Sequence, residues 1–344
     1  MKQLNVDVAI IGAGTAGIAA YRAATKGGAR TVMIEGGPYG TTCARVGCMP
    51  SKLLIAAAEA AHVAKRWRTF GIELHGAISI DGRAVMKRVK AERDRFVGFV
   101  LDGVERMPAS DKVRGYARFV DDHHLVVDDH TDITFKSAVI ATGSTPTIPP
   151  LFARLGDRVI VNDDIFEWSE LPRAVAVLGA GVIGLELGQA LARLGVTVHL
   201  FGRNGHLGPF RDPAIRDYAI KTFAREFNLN TDAKILNVER CGDVVTIRYA
   251  GSDGAQAEIE VDYVIAATGR APNVKNIGIE NTSVSLNERG IPFFDRDTMQ
   301  LGSSNIFIAG DVSDDASVLH EAADEGKIAG GNAPRFPNVQ RGLR

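Results

Sequence analysis

The chain has 344 residues, a formal net charge of -1, 45% hydrophobic residues and 24% charged residues. This length predicts two or three domains, and the composition is typical of a protein that buries a core without structural disulfides. The near-zero charge excludes a broad attraction to nucleic acid or membranes. No apolar run reaches the roughly 18 residues of a membrane span, and the N-terminus lacks the pattern of a secretory signal, so the predicted location is the cytoplasm.

The first part of the chain has the pattern of a β-α-β unit. Its predicted parts are a strand at residues 6–11, a glycine-rich turn, a helix to about residue 26 and a strand at residues 31–35. The turn is a G-x-G-x-x-G motif formed by Gly12, Gly14 and Gly17, which lets the backbone approach a pyrophosphate at a helix N-terminus. Glu35, 23 residues after Gly12, suits the free 2′-hydroxyl of an FAD or NAD ribose.

A second copy of this pattern follows. It comprises a strand at residues 174–178, a motif formed by Gly179, Gly181 and Gly184, a helix to about residue 194 and a strand at residues 196–201. Gly202 occupies the position that matches Glu35, and Arg203 follows it. A missing acid beside an arginine favours a 2′-phosphate and hence NADP over NAD. Alternatively, Arg203 is an ordinary exposed arginine and the site binds NAD less selectively.

Between the two copies lies a C-x4-C segment, with Cys43 and Cys48. Five residues of regular helix rise about 7.5 Å, whereas a disulfide requires Cα atoms about 4.4–6.8 Å apart. A disulfide here therefore requires a loop or a distorted first helical turn, for which Gly47 is suited. Pro50 suits the start of a helix, where the dipole and Lys52 would favour a thiolate at Cys48.

Other interpretations of these cysteines are two buried thiols or half of a zinc site. Zinc is disfavoured because Cys241 is remote in the sequence and the nearest histidine is His62. We therefore predict no metal. In a reducing compartment, a close cysteine pair in a chain with three cysteines indicates redox chemistry more than a structural framework.

Each unit ends in a predicted strand that runs into A-T-G, at residues 138–144 and 264–270. Short alternating strands precede each one and predict two three-stranded β meanders, at residues 115–119, 124–128 and 132–135, and at residues 234–238, 244–249 and 258–261. A further strand is predicted at residues 305–309, followed by a helix at about residues 318–332. The fold class is α/β, with two Rossmann-like dinucleotide-binding domains.

The predicted domain boundaries follow from these repeats and from the proline-rich stretch at residues 145–150. Residues 1–146 form the first nucleotide domain with the redox helix, and residues 147–270 form the second. Residues 271–334 return to the first domain, and residues 335–344 form a connecting segment.

In their order, these motifs resemble the pyridine-nucleotide-disulfide oxidoreductases with a C-x4-C redox motif. The resemblance covers nearly the whole chain: G-x-G-x-x-G, C-x4-C-x-P-S-K, A-T-G, a second G-x-G-x-x-G, G-R-x-P-N and A-G-D. The P-S-K sequence and the helix at residues 320–326 are most similar to dihydrolipoyl dehydrogenases, although mercuric reductases share P-S-K. The resemblance implies a glutathione-reductase-like fold, FAD and NAD or NADP as cofactors, and electron transfer between a dithiol, flavin and nicotinamide.

The resemblance also implies roles for individual residues. Cys48 resembles the thiol beside the flavin and Cys43 the thiol that faces the substrate, while Lys52 resembles the lysine near flavin N5 and would pair with Glu186. The alternative is that Lys52 and Glu186 are two unrelated surface charges. The implied FAD residues are Gly12, Gly14, Gly17, Glu35, Thr42, Thr142, Gly143, Gly310 and Asp311. The implied NAD(P) residues are Gly179, Gly181, Gly184, Arg203, Gly269 and Arg270.

Two features depart from the family pattern. Family members carry a further C-terminal domain of about a hundred residues, which forms the dimer interface and supplies a His–Glu pair to the partner's active site. Because this chain ends at Arg344 and His320 lies too early to be that base, we expect a truncated, monomeric form of a homodimeric protein. The second departure is Gly202-Arg203, where NAD-using relatives have an acid.

Several functions therefore remain open. The resemblance implies a dihydrolipoyl-dehydrogenase-like oxidoreductase that acts on a small-molecule or lipoyl-domain dithiol or disulfide. A glutathione-reductase-like or mercuric-reductase-like activity is the alternative. A flavin-binding fragment without turnover is another interpretation. A thioredoxin-reductase-like enzyme is disfavoured, because those enzymes place a C-x2-C pair in the second nucleotide unit, whereas Cys43 and Cys48 lie in the first.

Overall fold

The structure is a computed structural model that describes residues 1–73, 75–252 and 254–342. The strands in chain order are β1 (Lys2–Ile11), β2 (Thr31–Glu35), β3 (Lys112–Arg114), β4 (Ala117–Asp121), β5 (His124–Val127), β6 (Thr131–Ile140), β7 (Ser144–Pro146), β8 (Val159–Val161), β9 (Ala174–Leu178), β10 (Thr197–Phe201), β11 (Asn228–Asn230), β12 (Lys234–Cys241), β13 (Val244–Ala250), β14 (Gln256–Val261), β15 (Tyr263–Ala266), β16 (Arg270–Pro272) and β17 (Ile306–Ile308). The α-helices are α1 (Thr15–Lys26), α2 (Thr42–Val46), α3 (Cys48–Arg66), α4 (Gly82–Glu105), α5 (Pro150–Ala153), α6 (Asn162–Ile165), α7 (Val182–Arg193), α8 (Pro213–Phe223) and α9 (Leu319–Asn332).

The chain divides into two compact units. Unit 1 contains Met1–Cys43, Val97–Thr145 and Ala271–Arg344, and unit 2 contains Ala44–Phe96 and Pro146–Arg270. The chain crosses between them within one residue of the predicted boundaries at 146/147 and 270/271. The structure differs from the predicted first domain in one segment, because residues 44–96 belong to unit 2. The reason is packing: α3 and the first half of α4 bury Leu54 and Met86 in the core of unit 2.

Unit 1 is built on a sheet with the strand order β3-β2-β1-β6-β5-β4, and β17 also pairs with β6. The strands β3, β2, β1, β6 and β17 are parallel, whereas β4, β5 and β6 form an antiparallel meander. The apolar end of β1 is fully buried, as expected of a parallel strand covered on both faces. Helices α1 and α9 pack so closely that there is room only for glycine at Gly330 on α9. A Cβ atom there would lie 2.2 Å from the carbonyl oxygen of Ala20 on α1.

The segment after α9 packs against unit 1 in its described part. The Gln340 amide N–H donates to Asn332 Oδ1 at 2.9 Å, and Asn332 Nδ2 donates to the Gln340 carbonyl at 2.8 Å. The Gly342 N–H donates to the Asp297 carbonyl at 2.7 Å. Most of the predicted connecting segment is therefore held in place, while its residues 343 and 344 lie outside the described residues.

Unit 2 contains a five-stranded parallel sheet with the order β11-β10-β9-β15-β8. A separate antiparallel sheet of β12, β13 and β14 forms the second predicted meander. The parallel strands and α7 share one hydrophobic core, and the meander packs on a second core that includes Phe201 and Val245. Two Rossmann-like units with meanders, as predicted, are therefore present.

The two strands predicted to run through A-T-G both end before it, since β15 stops at Ala266 and β6 at Ile140. Strand β6 runs unbroken over Thr131–Ile140, so the segments predicted at 132–135 and 138–144 are a single strand that ends before A-T-G. Its first half pairs with β5 and its last three residues pair with β17, which keeps every part hydrogen-bonded. In unit 2 the corresponding strands stay separate, because Asp262 interrupts them and accepts the N–H groups of Arg173 and Ala174.

Among the described residues, no helix combines the length and the apolar character that crossing a membrane requires.

His199 is expected to make unit 2 sensitive to acid. It lies on β10, and burial lowers the pKa of its imidazole below the ordinary value of 6.5. Below about pH 6.5 the unfolded chain binds a proton that the folded unit does not, so the free energy of unfolding should rise with pH up to that value and then level off. Denaturant unfolding at several pH values should show a flatter curve for His199→Gln. His206→Gln, at an exposed histidine of the same unit, is the control, and equal pH curves for wild type and His199→Gln would contradict the prediction.

Candidate dinucleotide and redox sites

The first glycine motif forms a tight turn between β1 and α1. Gly12 has a φ of +108°, and a Cβ atom there would lie 2.3 Å from the Ala141 carbonyl oxygen. A Cβ atom at Gly17 would lie 1.9 Å from the Gly12 carbonyl oxygen, which no packing can accommodate. In contrast, a Cβ atom at Gly14 would meet nothing within 4 Å. Gly12 and Gly17 are therefore required by the protein's own packing, while Gly14 faces open space at the start of α1.

Glu35 lies beside this turn because β1 and β2 are parallel, with Ile11 opposite Ile34. Its Oε2 atom accepts the Ala13 N–H at 2.7 Å, and its Oε1 atom accepts the Gly37 N–H at 2.7 Å. A carboxylate has about four lone-pair sites, so these two bonds leave capacity for a ribose hydroxyl. The backbone therefore holds the carboxylate beside the first glycine turn, and its contact with a ribose stays a prediction.

Asp311 follows β17 and contacts Ser144, the last residue of the A-T-G-S sequence. Its Oδ2 atom accepts the Ser144 hydroxyl at 2.8 Å. Gly310 has a φ of +81°, and its N–H donates to the buried Glu325 carboxylate at 2.7 Å. Ser144 and Glu325 are not among the residues predicted from the sequence to form this site. The position of Ser144 directly after A-T-G was the available signal, whereas nothing in the sequence connects Glu325 with Gly310.

Thr142 and Gly143 bind Asn273, which follows β16 in unit 1. The Thr142 hydroxyl donates to the Asn273 carbonyl at 2.7 Å, Asn273 Nδ2 donates to the Thr142 carbonyl at 2.9 Å, and the Asn273 N–H donates to the Gly143 carbonyl at 2.9 Å. These bonds give both residues a structural role, and their contact with a cofactor stays a proposal. Thr42 is exposed at the start of α2.

Unit 2 repeats this geometry. A Cβ atom at Gly179 (φ +107°) would lie 2.3 Å from the Ala267 carbonyl oxygen, and one at Gly184 would lie 2.0 Å from the Gly179 carbonyl oxygen. A Cβ atom at Gly181 would again meet nothing within 4 Å. The A-T-G turn is also anchored in the same way, since the Thr147 N–H donates to the Gly269 carbonyl at 3.0 Å.

The two units differ after their second strands. Gly202 is buried, and a Cβ atom there would lie 2.9 Å from the Thr231 carbonyl oxygen and 3.1 Å from the Ala180 Cβ atom. An acid at this position would require the β11 side of the sheet to shift. Arg203 follows with an exposed side chain. The local packing therefore leaves no room for a counterpart of Glu35, and an exposed cation, Arg203, stands two residues after the end of β10.

The helix is interrupted between the two cysteines. Cys43 lies in α2, which ends at Val46, and Cys48 is the first residue of the 19-residue helix α3. Gly47 between them has φ −121° and ψ −117°, which is not helical. The predicted distortion is therefore present, and Cys48 is exposed at the N-terminal end of a long helix.

Lys52 follows Cys48 by one helical turn and forms the predicted ion pair with Glu186. Lys52 Nζ lies 2.6 Å from Glu186 Oε1, which is on α7, the helix that follows the second glycine motif. The two side chains are 58% and 35% exposed, so solvent screens the pair and its contribution to stability is at most about 1 kcal/mol. The contact excludes the interpretation that Lys52 and Glu186 are two unrelated surface charges. Its part in catalysis stays a proposal.

A polar cluster that no sequence motif indicates lies beside the segment between the two cysteines. Asn162, the first residue of α6, is buried and donates from Nδ2 to the Val46 carbonyl at 3.0 Å and to Asp163 Oδ1 at 2.8 Å. Arg270 Nη1 donates to Asn162 Oδ1 at 3.5 Å. Burial raises the pKa of the Asp163 carboxyl, against the opposing charges of Arg270 and Arg45. Arg270, predicted to bind a cofactor, therefore also contacts this cluster.

Within residues 1–73, 75–252 and 254–342, no three His, Cys, Asp or Glu side chains converge in a way that could hold a metal ion. Cys241 is exposed at the end of β12.

Comparison with known proteins identifies the family. The sequence pattern of the pyridine nucleotide-disulphide oxidoreductases matches residues 6–326, and the chain therefore belongs to this family. The mercuric reductase of Staphylococcus aureus is 32% identical over 335 residues, which are 96% of this chain and 60% of the relative. The dihydrolipoyl dehydrogenase of Bacillus subtilis (strain 168) is 30% identical over 331 residues, which are 95% of this chain and 69% of the relative.

A solved structure has the same fold. It is the Cu(II) complex of the HOCl-induced flavoprotein disulfide reductase RclA from Escherichia coli, with a TM-score of 0.81, 24% sequence identity, and coverage of 98% of this chain and 72% of that chain. The glutathione-reductase-like fold class is thus confirmed. The family and its neighbours use FAD and NAD(P), which confirms the predicted cofactors but not the choice between NAD and NADP. The chain spans about 60% of the length of the S. aureus mercuric reductase.

Proposed function

We propose that the protein is an FAD-dependent dithiol–disulfide oxidoreductase similar to dihydrolipoyl dehydrogenase, which passes electrons between a Cys43–Cys48 disulfide, FAD and NAD(P). One observation carries the proposal: α3 begins with a redox-motif cysteine and, one turn later, pairs Lys52 with Glu186 at 2.6 Å on the helix of the second glycine motif. A structural role alone would not require an exposed cysteine and an ion pair to share the first turns of one helix.

The two dinucleotide sites fit the cofactors of the family. The open space at Gly14, the oriented Glu35 carboxylate and Asp311 suit the pyrophosphate, the ribose and the flavin side of FAD. The open space at Gly181 suits the pyrophosphate of NAD(P). When bound, FAD supplies two-electron transfer between a dithiol and a nicotinamide.

The chain's own residues would carry out the thiol chemistry. A substrate dithiol attacks the Cys43–Cys48 disulfide; one substrate S–S bond forms as the protein S–S bond breaks, and the protein gains both thiols. The positive end of the α3 dipole stabilises a thiolate at Cys48. Lys52, held by Glu186, supplies a fixed positive charge one turn from that sulfur.

Lys52→Met is expected to lower the rate of electron transfer between dithiol and flavin by roughly 10- to 100-fold, because the variant loses a charge at the reacting centre. The free energy of unfolding should change by less than about 1 kcal/mol, since the pair is largely exposed. Stopped-flow reduction by dihydrolipoamide and denaturant unfolding measure the two quantities. Lys65→Met, on the same helix, is the matched control. A Lys52→Met rate equal to that of the control would remove Lys52 and Glu186 from the catalytic proposal.

A mercuric-reductase-like activity is the second candidate. Two mercuric reductases, from S. aureus and Shigella flexneri, are each 32% identical to this chain, as close as the dihydrolipoyl dehydrogenases at 30–31%. The experiment compares NAD(P)H oxidation with lipoamide, glutathione disulfide and Hg(II) as acceptors, on protein whose flavin has been identified by mass spectrometry. Turnover with lipoamide supports the first proposal, and turnover with Hg(II) alone supports the second. Bound flavin with no turnover indicates a flavin-binding fragment.

Arg203→Ala is expected to reduce the preference for NADPH over NADH, because the 2′-phosphate loses its nearest predicted cation. A decrease of roughly tenfold in the NADPH/NADH ratio of flavin reduction rates is expected. Gly202 leaves no space for an acid that would select NADH, so the wild type should accept NADPH at least as well as NADH. A wild-type enzyme that is reduced far faster by NADH would contradict the Arg203 proposal. Arg211→Ala, in the same loop, is the control.

We also propose that the protein forms a homodimer in the cytoplasm and acts on a small-molecule or lipoyl-domain disulfide. The named relatives support a disulfide or metal-ion substrate class, and the sequence composition supports the location. Size-exclusion chromatography with light scattering tests the oligomeric state.

A further inference from the structure

Asn162 is a buried polar side chain that contacts the segment between the two cysteines, within unit 2. It is 8% exposed, and its Nδ2 atom lies 3.0 Å from the Val46 carbonyl oxygen, although the two residues are 116 positions apart. Val46 is the last residue of α2, and the final carbonyls of a helix have no partner inside that helix. Asn162 therefore supplies, from a distant part of the sequence, the donor that the end of this short helix requires.

The peptide that Asn162 holds is the one at which the helical path breaks. Two cysteines five positions apart on a continuous helix would be separated by about 7.5 Å along its axis, beyond the about 4.4–6.8 Å that a disulfide permits between Cα atoms. The break at Gly47, between the end of α2 and the start of α3, is thus the feature that makes a disulfide possible. The Val46 carbonyl belongs to the peptide group that enters this break.

The position of Asn162 is itself determined from two sides. Its Oδ1 atom accepts from Arg270 Nη1 at 3.5 Å, and its Nδ2 atom also donates to Asp163 Oδ1 at 2.8 Å. Asp164, in turn, accepts the Val161 N–H at 2.9 Å and fixes the first turn of α6. An amide held in this way has one orientation, with its donor directed at Val46 and its acceptor at Arg270.

We propose that Asn162 is a positioning residue for the redox pair: its amide fixes the Val46 carbonyl at the break between α2 and α3 and so favours the geometry in which Cys43 and Cys48 form a disulfide. The inference rests on the proposed function of these cysteines. It assigns to Asn162 an effect on the equilibrium between dithiol and disulfide, beyond any effect on the stability of unit 2.

The test measures this equilibrium directly. The full chain carrying Cys241→Ser, which leaves two thiols to count, is equilibrated in glutathione buffers, quenched with an alkylating reagent and weighed by mass spectrometry. In the reaction, one oxidised glutathione takes two electrons and two protons from Cys43 and Cys48, giving the protein disulfide and two reduced glutathione molecules. If the parent chain forms no Cys43–Cys48 disulfide in oxidising buffer, the proposed function fails, whatever Asn162 does.

If the disulfide forms, Asn162→Asp should lower the equilibrium constant for its formation by oxidised glutathione by roughly five- to tenfold. The reason is that an acceptor then replaces the donor that faces the Val46 carbonyl. A tenfold decrease corresponds to a reduction potential about 30 mV less negative. Asn162→Ala should show a similar decrease, and Asn162→Ser, which retains a donor, a smaller one.

Asn237→Ala is the matched control. Asn237 also makes side-chain hydrogen bonds in unit 2, but it lies on β12, remote in sequence from Cys43 and Cys48. Its equilibrium constant should equal that of the parent. A merely structural Asn162 would lower the melting temperature of its variants and leave the equilibrium constant unchanged, and that result would overturn the proposal. If Asn162→Asp or Asn162→Ala loses its native circular dichroism, Asn162→Ser decides by the same criterion.

Discussion

Cys43→Ser and Cys48→Ser are each expected to abolish the protein's dithiol–disulfide chemistry, lowering disulfide turnover by about a thousandfold or more. A serine hydroxyl cannot take part in thiol–disulfide exchange, and each cysteine requires the other to form the disulfide. The effect is therefore larger than that of any substitution that only changes charge or position. Flavin content and thermal stability should stay near the wild-type values, because neither sulfur belongs to a hydrophobic core.

An anaerobic reductive titration measures this effect without requiring turnover. The wild type should take up about four electrons per flavin, two for the flavin and two for the disulfide, and each serine variant about two. Cys241→Ser is the control, since Cys241 is exposed on β12 and outside the redox motif, and it should retain the wild-type value. An uptake of about two electrons by the wild type would show that Cys43 and Cys48 are not a redox pair.

Gly14→Val and Gly17→Val are expected to lose different properties: Gly14→Val its affinity for FAD, and Gly17→Val its stability. A Cβ atom at Gly17 would lie 1.9 Å from the Gly12 carbonyl oxygen, so any side chain there should destabilise unit 1 severely, by more than about 3 kcal/mol. A Cβ atom at Gly14 meets nothing within 4 Å. Gly14→Val should therefore fold normally and lose FAD affinity by about a hundredfold or more, because its side chain fills the space into which the pyrophosphate would fit.

Flavin fluorescence after gel filtration measures cofactor retention, and denaturant unfolding measures stability. Gly331→Ala is the control for glycine loss, since a Cβ atom there meets nothing within 4 Å and α9 should gain about 0.5–1 kcal/mol. Gly181→Val extends the comparison to unit 2, where FAD should be retained and reduction by NAD(P)H lost. Full FAD affinity in Gly14→Val would show that the open space at this turn is not a pyrophosphate site.

The local features of the fold could be predicted well from the sequence. The strands at Thr31–Glu35 and Ala174–Leu178 were predicted at their observed bounds, since buried runs of apolar residues flanked by glycine define them. The strand boundary before A-T-G was harder, because β6 changes from an alternating to a fully buried pattern without a break. The interruption between Cys43 and Cys48 followed from helix geometry on the assumption that the two cysteines form a disulfide.

The candidate site was predicted where its residues lie in motifs and missed where they do not. Glu35 could be found from its spacing to Gly12, and the ion pair of Lys52 with Glu186 followed from the family resemblance. Asn162 could not be found, because it lies in no motif and contacts a backbone group distant in the sequence. Glu325 lies in the helix segment 320–326 that carries the resemblance, but nothing in that segment points to its bond with the Gly310 N–H.

By itself, the sequence determined the two β-α-β units, the glycine turns, the redox motif and the family, because each depends on residues close together along the chain. Only the tertiary structure decided that Ala44–Phe96 packs with the second nucleotide unit and that Asn162 reaches the Val46 carbonyl across 116 positions. The physical reason is that burial and hydrogen-bond geometry between distant segments depend on how the segments pack, and residue spacing along the chain does not encode that packing.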